Sequence, residues 1–282
     1  MKTLSCLLGI LLYTSALAFA QQGIETNCTT PSDSACIDWN KGVAYAVGIG
    51  APPANAGARS NPMARRAARI DAARNLVELI QGVNLDSSTS MKNAMIENDT
   101  VNISISGVLK SIREVGQPKY FSDRTIQVKV SASLREVIPQ ELVLGNAGGA
   151  PRLLPPPGSI PPGSTVSTQQ AYTGLIIDAR GTGVLPAMSP KVFDPEGREV
   201  YGSAYVSREW AISQGVVGYV KSLEAARNTD RVKGTPAVVK ALEAKGANLA
   251  DLVISKADAD TLRSIAQKQT FLNEGRVMIV LD

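Results

Sequence analysis

The chain has 282 residues, a formal net charge of +4 and no histidine. The missing histidine excludes imidazole general bases, Ser-His-Asp and Cys-His nucleophile systems, and the commonest transition-metal ligand. The weak basicity is too dilute for the concentrated footprint of a nucleic-acid binder, and 5% aromatics leave Ala, Val, Ile and Leu to fill the core.

Residues 1–20 read as a secretory signal peptide: Lys2, an apolar run from Leu4 to Phe19, then Ala18-Phe19-Ala20 as the cleavage signal. Cleavage after Ala20 makes Gln21 the first residue and places the protein in the periplasm or at the outer membrane. The run is shorter than the ~20 apolar residues of a spanning helix. Cys6 stands too early to end a lipobox. Removing Cys6 leaves Cys28 and Cys36 in a polar, turn-rich segment, 21–38, where they are expected to form a disulfide in an oxidising compartment. That bond is expected to lie outside both folded cores.

A first domain is predicted over 39–144. Val43–Ile49 reads as a strand ending in Gly48-Ile49-Gly50. Asn61 then caps a helix with Pro62 at its first position, and Gly82 ends it. Met63, Ala67, Ile70, Ala73, Val77 and Ile80 recur at helical spacing and are the predicted core face. Arg65, Arg66, Arg69 and Arg74 lie away from that face, either as a solvated surface or as a strip for an anionic envelope polymer. Val83–Met91 alternates as a strand would, and residues 91–107 fit either strand or helix. Val108–Val115 and Thr125–Val137 read as a hairpin through Ser122-Asp123, with Ile126, Val128 and Val130 facing the core.

Residues 145–171 are a Pro/Gly/Ser-rich linker containing Pro155-Pro156-Pro157 and Pro161-Pro162, expected to be an exposed, semi-rigid spacer. A second domain is predicted over 172–282. Gly174–Ala179 is a buried strand. Lys191–Ser203 is a hairpin whose Asp194-Pro195-Glu196-Gly197 fits a type I turn. Ser207 caps a helix through Gln214. Thr235 with Pro236 starts another helix that Gly246 closes. Leu249–Ile254 is a strand, Ser255 with Asp258 opens a helix to about Gln267, and Arg276–Leu281 is an apolar strand expected in the sheet interior. The expected class is therefore α+β, as two small α+β domains joined by a Pro/Gly-rich linker.

Chemistry is sparse. Gly181-Thr182-Gly183 follows a strand but lacks the third glycine and helix of a dinucleotide loop, so no cofactor is expected. Asp258 and Asp260 face apart on a helix start and do not form a catalytic pair. No catalytic or metal-ligating residue is assigned. One cluster is not generic: Asp178, Arg180, Lys191, Arg198, Glu199 and Tyr201 crowd around short strands, as an interaction surface or as a buried ion-pair network. The alternative function is a carboxylate-dependent hydrolase of envelope polymers, with Asp178 or Glu199 as acid or base. Such a pair needs carboxyls ~5–9.5 Å apart.

The first domain resembles the Lpp-twenty-like lipoprotein domain and the related N-terminal domain of flagellar assembly protein T. The residues that carry this are Gly48-Ile49-Gly50, the alanine-rich helix from Ala64 to Leu76, Gly82-Val83, Ile105-Ser106-Gly107 and Ile126 to Val130. Gly174–Ser203 and Arg276–Leu281 look like the C-terminal part of longer envelope relatives of the same group. The resemblance implies a non-enzymatic, exported envelope protein with flagellar or outer-envelope partners, self-association among them. The chain departs from the group by lacking a well-placed lipidation cysteine.

Overall fold

A computed structural model describes residues 28, 34–97, 112–138, 140–144, 152, 154 and 163–282. The signal-peptide reading, the triple proline and Ile105–Gly107 lie outside these residues. The fold is α+β and is built on two sheets.

The first sheet has strands β1 (Ala35–Asp38), β2 (Val43–Gly50), β3 (Arg113–Glu114), β4 (Lys119–Tyr120) and β5 (Ile126–Ser133). All are antiparallel, with β2 between β1 and β5 and both β3 and β4 on β5. β1 pairs with β2 along its whole length, so the domain begins before residue 39 and takes in the end of the predicted N-terminal segment. Cys28 and Cys36 form the expected disulfide, with Cα atoms 5.6 Å apart. Cys36 lies inside β1 and is buried. The bond therefore ties Cys28 to a core strand and does not stand outside the cores.

Helix α1 (Ser60–Gln81) packs across this sheet. It starts at Ser60 after a 3-10 turn at Gly57–Arg59, without a side-chain cap from Asn61. Its core face also differs from the expectation. Ala64, Ala68, Ala72, Leu76 and Ile80 are buried, whereas Met63 is 44% and Ile70 56% exposed. The reason lies in β2. A Cβ at Gly48 would stand 2.1 Å from the Ala72 nitrogen and 2.3 Å from the Ala68 oxygen; one at Gly50 would stand 2.2 Å from the Ala64 oxygen. Helix and strand backbones touch there, and only small side chains fit between them. Beyond the end of β1, the side chains of α1 also satisfy the free edge of β2. Asp71 Oδ2 accepts from Ile49 N at 3.0 Å, and Asn75 Nδ2 donates to the Val47 carbonyl at 2.8 Å.

Helix α2 (Met91–Glu97) follows. Residues 83–90 before it are not the expected strand. Val83 and Leu85 are buried as their alternation suggests, but this loop bonds to the second half of the chain. The carbonyls of Asn84, Leu85 and Ser87 accept from Met188, Ser189 and Asn248 N–H at 3.0, 2.8 and 2.9 Å. Short helices α3 (Leu134–Val137) and α4 (Gln140–Leu144) end the first half.

The second sheet has the order β8-β7-β11-β10-β6-β12-β9. Its strands are β6 (Leu175–Asp178), β7 (Val192–Phe193), β8 (Glu199–Tyr201), β9 (Gly218–Val220), β10 (Ala237–Lys245), β11 (Asp251–Ile254) and β12 (Val277–Val280). β6 is parallel to both β10 and β12, and β12 to β9; β10 and β11 are antiparallel. β12 is interior and wholly buried, as its composition predicts. Helices α5 (Arg208–Gln214), α6 (Leu223–Arg227) and α7 (Lys256–Ala266) are capped by Ser207, Ser222 and Ser255.

The predicted helix from Thr235 to Gly246 is strand β10. Its Ala, Leu, Glu and Lys favour helix, but Ala237, Val239 and Ala241 are buried, and pairing with β6 and β11 on both sides overrides the local preference. Part of the predicted spacer is also not exposed. Leu154 and Val166 are buried, and the Asp258 carboxylate accepts from Thr165 N at 2.8 Å and Ser164 Oγ at 3.1 Å.

The two sheets share one hydrophobic core that runs from Ala35 to Leu281. Trp39 and Tyr219 meet edge to face across the junction, with centroids 5.6 Å apart. Tyr219 Oη donates to the Ala187 carbonyl and accepts from its N–H. A smaller core on the other face of the second sheet holds Ile176, Met278 and Val280 with Ala226 and Val232.

Gly48→Ala is expected to cost about 3 kcal/mol, because neither backbone can retreat. Gly82→Ala, at a residue with φ −77° and no contact closer than 3.4 Å, is expected to change stability by less than about 0.5 kcal/mol. Urea midpoints of the two variants check the contrast.

Candidate functional site

The polar cluster predicted on the second domain divides into three separate places. The first is the end of β6. Arg180 holds Asp178 with a two-pronged fork, Nε to Oδ1 at 2.8 Å and Nη2 to Oδ2 at 2.7 Å. The fork keeps the Asp178 carboxyl below the ordinary carboxylate range. Beside it, Gly181 N donates to Asp282 Oδ1 at 2.8 Å.

The second place is the β7–β8 hairpin. Its turn is the predicted type I turn, closed by Gly197 N donating to the Asp194 carbonyl at 3.0 Å. The Asp194 side chain organises the rest. Oδ1 accepts from Glu196 N and Arg198 N at 3.0 and 2.9 Å, and Oδ2 accepts from Arg198 Nε at 2.8 Å and Arg263 Nη2 at 2.9 Å. Arg263 comes from α7, is 1% exposed, and reaches Asp260 Oδ1 with Nη1 at 2.9 Å. Arg198 also pairs with Glu196 at 2.9 Å, and Glu196 with Lys256. Arg198, Arg263 and Lys256 thus neutralise Asp194, Glu196 and Asp260. Burial opposes the charge on Asp194, but the Arg198 N–H and the Arg263 and Arg198 guanidinium groups outweigh it and hold the carboxyl below its ordinary value.

The third place surrounds Glu199. Its carboxylate lies 3.9 Å from Lys191 Nζ, and Lys191 N donates to Asp251 Oδ1 at 2.8 Å. Burial pushes the Glu199 carboxyl up against the pull of Lys191 and Arg152, and Oε1 has no hydrogen-bond partner among the described residues. Tyr201 is not part of a surface. It is fully buried, its Oη donates to the Val216 carbonyl at 2.6 Å, and burial pushes its pKa up.

Of the six cluster residues only Arg198 joins the ion-pair network around Asp194; Asp178 with Arg180 and Lys191 with Glu199 form separate pairs. The hydrolase pair does not assemble. β8 lies four strands from β6 in the sheet order, a separation of roughly 19 Å at the usual strand spacing. That is well beyond the reach of two carboxyls on one glycosidic bond. The sequence does not mark Asp194, Asp260 and Arg263 as a group. The available signal was Asp260 and Arg263 at i,i+3 on one helix, but their meeting with Asp194 is tertiary.

The arginine strip of α1 also divides. Arg65 Nη2 bonds Glu114 Oε2 at 2.6 Å, and Arg69 Nη2 donates to the Ile112 carbonyl at 3.3 Å. Arg65, Arg66 and Arg69 share an open cleft of about 400 Å³ with Tyr120. Arg74 lies apart, on a groove with Ile70, Val77 and Glu78.

Arg263→Met is expected to cost about 3–5 kcal/mol at pH 7, because it removes the buried cation between Asp194 and Asp260 and leaves both to the half-exposed Arg198, 2.8 Å from one and 3.8 Å from the other. The native pairing lowers the pKa of Asp194, so its contribution is present above the unfolded value of about 3.9 and is lost as pH falls through the folded one. The gap between variant and wild type should therefore narrow below about pH 4, as thermal melts across pH would show.

Residues 174–282 match the family model described as Treponema pallidum Tp0624, second domain. A search of curated proteins gave no match. The matched span begins just before β6 and runs to Asp282, so the second sheet, its hairpin and the buried Arg263 network all fall within the part of the chain that is similar to that domain.

Proposed function

We propose that the protein is an exported, non-enzymatic component of the bacterial envelope that works by binding, in the periplasm or at the outer membrane, within a flagellar or outer-envelope assembly. The observation that carries this reading is the Cys28–Cys36 pair at bonding distance, since such bonds persist in oxidising compartments. The leader-like residues 1–20 and the resemblance of the first domain to envelope proteins support it. The second half of the chain supports a binding role in a different way. Asp178, Asp194, Glu196 and Asp260 are each paired with a cation of the same half, an arrangement suited to a fixed binding surface.

Fractionation with mass analysis tests the proposal. The expected form begins at Gln21, carries the intact Cys28–Cys36 bond, and sits in the periplasmic or outer-membrane fraction, where crosslinking captures envelope proteins with it. A cytoplasmic protein with two free thiols would overturn the reading. Cys28→Ser is expected to lower stability by about 2–3 kcal/mol, the loop-closure contribution of so short a ring, measured by denaturant titration against the oxidised wild type.

A further inference from the structure

The hairpin β4–β5 carries a surface feature that the envelope reading does not use. Lys119 to Arg124 are all exposed. Within that tip, Tyr120 is 61% and Phe121 47% exposed. In a chain with only 5% aromatics, these are the two aromatic side chains in the exposed class among the described residues. Trp39, Tyr201, Tyr205, Tyr219 and Phe271 are buried.

The tip is held in one shape. Phe121 N donates to the Thr125 carbonyl at 3.0 Å, and Arg124 N to the Phe121 carbonyl at 3.1 Å. Asp123 Oδ1 accepts from Thr125 N at 2.9 Å and from its hydroxyl at 2.6 Å. Exposing two aromatic rings on a fixed turn removes no water from them, so the folded chain alone gives no reason for their placement.

Cations surround the rings. Lys119 and Arg124 flank them on the hairpin, and Arg65, Arg66 and Arg69 stand across the cleft from Tyr120. The nearby acids are fewer: Glu114 is paired with Arg65 and Arg69, and Asp123 keeps its negative charge while accepting from Thr125. The feature therefore combines an aromatic tip with an excess of positive charge. Aromatic side chains partition to the headgroup level of a bilayer, and each Lys or Arg near an anionic surface adds attraction.

We infer that the β4–β5 tip, with the N-terminal arginines of α1, docks on a bilayer of anionic phospholipid: Phe121 and Tyr120 enter the headgroup layer, and Lys119, Arg66 and Arg124 meet the phosphates. The inference rests on this surface alone and not on the export reading, so a failed fractionation would leave it standing.

The test uses the chain from Gln21 onward, which keeps every described element because the first begins at Ala35. Sedimentation with vesicles of phosphatidylethanolamine and phosphatidylglycerol is compared with sedimentation on phosphatidylcholine alone, at low and high salt. Binding to the anionic vesicles only, weakened by salt, is expected. Tyr120→Ser with Phe121→Ser, and separately Lys119→Glu with Arg66→Glu, should each weaken it by roughly tenfold or more. All four side chains are exposed, and thermal melts confirm that the variants fold. Three outcomes would overturn the inference: equal affinity for neutral vesicles, variants that bind like wild type, or capture by a soluble polyanion or a second copy of the chain with no vesicle binding at all.

Discussion

The contact between the backbones of α1 and β2 sets the terms for the first half of the molecule. Gly48 and Gly50 carry no Cβ, and Ala68 and Ala72 carry no more than a methyl group, so helix and strand approach until their main-chain atoms touch. Close approach increases dispersion between backbones and brings Asp71 and Asn75 within reach of the free edge of β2. That edge would otherwise offer unpaired N–H and C=O groups to other chains. The same contact turns Met63 and Ile70 outward and presents Arg65, Arg66 and Arg69 toward β3 and the β4–β5 hairpin. The two glycines are costly in conformational entropy, but no residue with a side chain could take their place without separating the layers.

The second half is organised by charge as well as by packing. Arg263 is buried beside Asp194 and Asp260, on a helix that also buries Asp258 and Thr261 among Ala259, Leu262 and Ile265. Desolvating such a group is expensive, and a hydrophobic substitute of the same volume can stabilise a fold as well. What the ions add here is register. The guanidinium fixes α7 against the β7–β8 turn through directional bonds to Asp194 and the Arg198 carbonyl. Arg231 works similarly at the other end of the sheet. Its guanidinium donates to the carbonyls of Gln214, Gly215 and Gly275, and burial pulls its pKa down to about 10.

Signals confined to a few neighbouring residues were legible in the sequence. The Asp194–Gly197 turn, the Ser207 and Ser255 caps, the Cys28–Cys36 pair and the apolar strand at 277–280 all appear where local chemistry predicts them. The errors share one cause, that the deciding partner is distant in the chain. The helical period of α1 is legible, but the spacing of Met63, Ile70 and Val77 points to a different face from the buried one, because the glycines on β2 draw in Ala64, Ala68 and Ala72. The alternation at Val83 and Leu85 does report burial, although the partners are at 187–189 and 248. Residues 237–245 carry helix-favouring Ala, Leu, Glu and Lys, and become a strand because β6 and β11 lie on either side. Asp178 and Glu199 are close in sequence and far apart in space because three strands, two of them from later in the chain, are inserted between theirs.

The position of β12 has a consequence for how the molecule is made. Residues 277–280 form an interior strand, and among the described residues β9 pairs with this strand alone. A nascent chain still missing those residues cannot complete the seven-stranded sheet, and β9 has nothing to join. Assembly of that half is therefore postponed until translation has passed residue 280, whatever has happened upstream. The first sheet is complete by Ser133, so the delay falls on the second half alone.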